Sequence, residues 1–136
     1  MANATIAEIK AGLAVRLATI SGLRAYAYQP DQLNAPIAFA NLESITYNRA
    51  MRGGAVEHIY TVTVVVARAT ERSAETAVDA YTNFDGASSV RAAIEGDRTL
   101  GGKVSDLIVE SASGIQTVSA NEADYLSVDF TVRVYA

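Results

Sequence analysis

From Tyr125 to Tyr135 the chain alternates without a break. Leu126, Val128, Phe130, Val132 and Val134 are apolar, and Tyr125, Ser127, Asp129, Thr131, Arg133 and Tyr135 stand between them. Successive side chains of a strand point to opposite faces, so this pattern predicts a strand with one apolar and one half-solvated face. A parallel sheet covered on both sides would read as a continuous apolar run, so the alternation points to an antiparallel sheet covered on one side. That requirement constrains everything upstream, because the rest of the chain must supply both the partner strands and the layer over the apolar face.

The covering layer comes from helical periodicity. Ile6, Ile9, Leu13, Leu17 and Ile20 recur at three- and four-residue steps, which predicts an amphipathic helix over Thr5–Ile20, with Thr5 and Glu8 as a capping box and Gly22 as its stop. A second helix is expected over Ser73–Phe84, with Ala74, Ala77, Val78, Tyr81 and Phe84 inward and Asp85-Gly86 ending it. Ser88 is expected to cap a short third helix that buries Val90 and Ile94 and stops at Gly96. Leu100 then anchors an extended segment, and Gly101-Gly102 turns the chain.

The remaining runs read as strands: Leu23–Tyr28, Ile37–Leu42 with an extension over Glu43–Tyr47, and Val56–Ala67. Even positions of the last of these are mostly core-like, while the odd ones are mixed, so its second face is partly covered. Leu107–Ser111 and Ile115–Ser119 are expected to form a hairpin across Ser113-Gly114, with a turn at Asn121–Asp124 before the final strand. Strands cluster rather than alternating with helices. The expected fold is therefore α+β, a mainly antiparallel sheet with helices on one face, in a single domain over residues 1–136.

Composition narrows the function classes. The 136 residues include no cysteine, which removes disulfides and thiolate chemistry, and 11 basic against 15 acidic residues disfavour a dedicated nucleic-acid-binding domain. No apolar run approaches the ~20 residues of a membrane span. The start, MANATIAEIK, has no cationic and apolar leader pattern, so a cytoplasmic protein is expected.

Residues with chemical potential have simpler readings. His58 is the single histidine and sits on the apolar parity of a strand, where a structural imidazole outweighs a catalytic one. Glu75 and Asp79 lie on one helical face but read as solvated. Ser88-Ser89 and Gly101-Gly102-Lys103 lack the spacing of a phosphate loop. No catalytic, cofactor-binding or metal-binding residue is assigned, and no enzyme activity is expected. Two interaction elements stand out instead. One is the loop Asn48-Arg49-Ala50-Met51-Arg52-Gly53-Gly54 between two strands, with Asn48, Arg49, Met51, Arg52, Gly53 and Gly54 as its candidate contacts. The other is the polar face of the last strand, represented by Tyr125, Arg133 and Tyr135.

Several segments in order carry a family resemblance. They are LAVRLATISGLRAYAYQPDQLNAPIAF, ITYNRAMRGGAVEHIYTVTVVVARATERSAE, VDAYTNFDG, SSVRAAIEGDRTLGGKVSDLIVESASG and DYLSVDFTVRV, with Arg68 and Arg72 between the long strand and the second helix. Together they cover nearly all of the chain from about residue 12. The chain resembles the tail terminator proteins of long-tailed (siphovirus-type) bacteriophages. Many members carry an acidic or glycine-rich tip where this chain has NRAMRGG. The resemblance implies a virion protein, made in the host cytoplasm, that forms a ring, generally a hexamer, on the head-proximal end of the tail tube. Its partners would be further copies of itself, the tail-tube protein and the head-completion or neck proteins. DNA would pass through the lumen without sequence-specific binding, and neither a cofactor nor a membrane would be involved. The nearer alternative is another connector, such as a neck or stopper protein or a tail-tube-like subunit. The distant one is a small cytoplasmic enzyme or ligand-binding domain.

Overall fold

The architecture follows from a computed structural model that describes residues 5–20, 22–28, 36–47, 56–68, 73–120 and 123–135. Along the chain they form α1 (Ile6–Leu17), β1 (Arg24–Tyr26), β2 (Ile37–Thr46), β3 (Glu57–Arg68), α2 (Ser73–Thr82), α3 (Val90–Glu95), β4 (Asp106–Ala120) and β5 (Ala123–Tyr135). The strands make one sheet in the order β1-β2-β3-β5-β4. Every neighbouring pair is antiparallel except β1 with β2. The protein is thus an α+β domain with a five-stranded, mostly antiparallel sheet.

The alternation of the last strand sets the core. Val128, Phe130, Val132 and Val134 are buried with Tyr60, Val62 and Val64 of β3, and Ile9, Leu13 and Leu17 of α1 and Val90 and Ile94 of α3 join the same cluster. Burying a large aliphatic side chain contributes about 1.5–3 kcal/mol, so this layer dominates the stability of the domain. Two registers slip where a strand carries an extra residue, at Leu42/Ser44 in β2 and Val65/Ala67 in β3.

Three local expectations are corrected. The segment expected as a hairpin is one strand, β4, paired to β5 along its whole length with register shifts at Val109/Ser111 and Ser113/Gln116. Ser113-Gly114 is therefore the site of an irregularity rather than a turn, because β5 offers a continuous partner. Ser89, not Ser88, caps α3: its hydroxyl accepts from the Ala92 amide at 3.1 Å and donates to Asn83 O at 2.6 Å. Phe84 lies beyond the end of α2 and is 67% exposed instead of facing inward. At α1 the Thr5 cap is present, with the Glu8 amide donating to Thr5 Oγ1 at 3.1 Å.

The segment from Gly96 to Val104 locks α1 to α3. Leu100 takes φ 50°, a left-handed conformation that costs a non-glycine residue energy, and it is followed by Gly101 and Gly102 at φ 72° and 89°. The strain is offset by burial of the Leu100 side chain, which packs against Gly12 of α1. Asp97 fixes the turn: Thr99 N, Gly101 N and Thr99 Oγ1 donate to its carboxylate at 3.3, 2.9 and 3.1 Å. Those bonds, the Thr99 amide first, hold the Asp97 carboxyl below the usual carboxylate range.

Arg16 completes the lock by donating from Nε to Ala93 O at 2.9 Å, satisfying a carbonyl in the last turn of α3. Gly96 has an ordinary helical φ of -62°, so its backbone does not require glycine. A Cβ there would run into the Arg16 guanidinium and crowd Ala92 O. Gly96→Ala is therefore expected to displace Arg16 and cost about 1 kcal/mol, the worth of the hydrogen bond it breaks. Urea unfolding of the variant, with Arg16→Ala beside it, checks this: the two losses should not add.

Candidate interaction face

The helices pack over the core face of the sheet, and β3 and β5 carry their polar residues to the other face. Register places Glu57 opposite Tyr135, Ile59 opposite Arg133, Thr61 opposite Thr131 and Thr63 opposite Asp129. Thr63 Oγ1 donates to Asp129 Oδ1 at 2.8 Å, and Thr61 Oγ1 to Glu43 Oε2 at 3.0 Å. These cross-strand bonds tie β2, β3 and β5 together on a polar surface.

Arg133 is the electrostatic centre of this face. Its guanidinium meets Glu57 Oε1 through Nη1 and donates from Nε to Glu110 Oε1. Glu57 is only 6% exposed, and the Arg133 guanidinium beside it helps compensate its buried charge. Glu110 reaches the same side by strand alternation from Ile108, which pairs with Arg133. At the edge of this region Arg98 holds Asp106 with two parallel bonds, Nε to Oδ1 at 2.8 Å and Nη2 to Oδ2 at 2.9 Å. The Arg98 bond holds the Asp106 carboxyl down, and the pair stays exposed.

The sequence candidates separate along β5. Arg133 and Tyr135 sit at the end of the sheet where Thr46 of β2 pairs with Glu57 of β3. The candidate loop runs between those two strands, so its base lies beside Arg133 and Tyr135. Asn48, Arg49, Met51, Arg52, Gly53 and Gly54 themselves lie outside the described residues. Tyr47, just before the loop, is 69% exposed. Tyr125 belongs to the other end of the strand, about 26 Å away at the rise of an extended chain. There it is buried with Ile37, Phe39 and Val65 in a second cluster. Glu57 and Glu110 were invisible as site residues because only strand register shows that they flank one arginine.

His58 is buried on the core face, and its Nδ1 shares a hydrogen bond with the Tyr60 hydroxyl at 2.9 Å. Burial lowers the His58 pKa and raises that of Tyr60. Glu75, Asp79 and Lys103 are exposed. Among the described residues no group of three or more His, Cys, Asp or Glu side chains could hold a metal ion. No helix among them is long and apolar enough to cross a membrane.

Other large apolar side chains are exposed away from the polar face. Val15 of α1 is 66% exposed, and Tyr26 and Tyr28 at the β1 edge are 42% and 56% exposed, with Lys10 Nζ lying 4.7 Å from the Tyr28 ring centroid. At the opposite edge Phe84 stacks under Arg91 at 3.7 Å. It rims a groove of about 180 Å³ lined by Arg91, Val109, Glu110, Ala112 and Phe130. The Val109 amide on that edge donates to Glu95 Oε2 at 3.0 Å, a side-chain contact that shields part of an open strand. The domain therefore offers two unlike edges and one polar face. Neither protein-family models nor curated proteins give a match to this chain.

Proposed function

We propose that this protein is a tail terminator of a long-tailed bacteriophage, a ring-forming structural protein that caps the head-proximal end of the tail tube. The observation that carries the reading is the order of the resembling segments, which runs from α1 through the β2–β3 pair and both later helices to β5 without a gap in element order. The unlike edges support it further. A contact between β1-side aromatics of one copy and the β4 side of the next is heterologous, and such contacts generate a closed ring when the rotation closes. The function needs no catalytic site, and the loop base with Arg133 and Tyr135 supplies a polar end for the tube or neck partner.

In this reading the protein acts in the virion, its partners are further copies, the tail-tube protein and a head-completion protein, and DNA passes through the lumen. Light scattering over a concentration series tests ring formation. A mass near six copies of the 14.3 kDa chain is expected, alone or on addition of tail tubes. A monomer under both conditions would count against the proposal.

A further inference from the structure

We propose that His58 is an acid-sensitive latch that holds the far end of β2 against β3. The geometry is specific to this end of the sheet. β1 pairs only with Ile37–Phe39, so among the described residues β2 from Ala40 onward has β3 as its single strand partner. The register shift at Leu42/Ser44 interrupts that pairing, leaving Ser44–Thr46 as a short terminal stretch opposite Ile59, His58 and Glu57. Ser44 and Thr46 are exposed, and Ile45 lies directly across from His58. The imidazole is 5% exposed and lies nearly parallel to the Tyr60 ring, with centroids 5.7 Å apart.

The surroundings favour a neutral ring. Tyr60 shares a hydrogen bond with it on β3, and its cross-strand neighbours Ile45 and Val134, with Leu107 of β4 beyond Val134, carry no charge. Glu57 is on the other face with Arg133 and Glu110, and Glu43 is turned to Thr61 on that face. On the segment running past this end toward β4, Arg98 and Asp106 pair with each other and Lys103 is exposed. Among the described residues an imidazolium at this position gains no carboxylate partner, and burial lowers the affinity for the proton.

The sign follows from linkage. The unfolded or opened chain binds a proton near pH 6.5, and the closed form binds it only at lower pH. Falling pH below about 6.5 therefore favours whichever state exposes His58. Peeling Ser44–Thr46 from β3 is the least disruptive such state, because it breaks the pairing on one side of β3 only and leaves β5 in place. It would also release the base of the 48–54 loop at its β2 side.

His58 is the chain's one histidine, so its Cε1–H resonance reports on it without ambiguity. The test follows that resonance in the intact protein together with amide exchange, corrected for intrinsic rates, from pH 7.5 to 5. The imidazole midpoint is expected below 6.5. Exchange at Ser44–Thr46 and Glu57–Ile59 should rise severalfold as the pH falls below about 6.5 and level off below the imidazole midpoint. Val62 and Phe130 should stay unchanged, and His58→Gln should abolish the pH dependence. Uniform acceleration across the sheet, no acceleration, or a midpoint at the free-imidazole value would each overturn the latch. If the variant does not fold, the titration of the native protein still decides.

Discussion

Phe130→Ala is expected to lower the unfolding free energy by about 3–4 kcal/mol. Phe130 is 2% exposed at the middle of β5, between Val62 of β3 and Ala112 of β4. It also forms the inner wall of the groove under Phe84 and Arg91. Removing the ring joins its volume to that groove, so water enters and the surrounding strands do not collapse. A total stability of about 5–15 kcal/mol makes this a substantial fraction. Urea denaturation should show a lower midpoint at an unchanged slope, and Phe130→Leu should cost less than about 1.5 kcal/mol.

The second large effect belongs to Arg133. Arg133→Met is expected to destabilise by about 2–3 kcal/mol, because it removes the guanidinium that meets both the buried Glu57 and Glu110. The figure sits at or below the usual range for a broken buried pair because the Arg133 side chain keeps 28% exposure. Adding Glu57→Gln should recover part of the loss, since a neutral amide tolerates a buried site without the guanidinium better than a carboxylate does. If Arg133→Met and Arg133→Met/Glu57→Gln unfold at the same urea concentration, the pair is not what holds this end of the sheet.

The two variants also mark how far the sequence could be read. Phe130 was legible as core because strict alternation leaves its parity no choice, and the same holds for Val62 and Val64 of β3. α1 was legible for the corresponding reason at helical period, with Thr5 as its cap. The Arg133 cluster was not legible. Glu57 and Glu110 are 76 and 23 residues from it in the chain, and only pairing brings them together. The β4 error has a similar source. Ser113-Gly114 has the chemistry of a turn, but β5 is long enough to pair across it, so tertiary context overrides the local signal. Phe84 fits the inner stripe of α2 by spacing, yet the helix ends at Thr82 and releases it to the surface. The candidate site was half legible. The loop and the final strand were singled out, but only the topology shows that Arg133 and Tyr135 stand at its base while Tyr125 is buried far away.

The central claim is that this protein terminates a tail tube, and electron microscopy of tubes assembled from the cognate tail-tube protein tests it most directly. With the protein present, tubes should end at a fixed length with a ring at one end, and they should accept the head-completion protein there. Arg49→Ala/Arg52→Ala should leave the domain folded but reduce this joining. Tubes that grow unchanged, or that incorporate the protein along their length, would contradict the account.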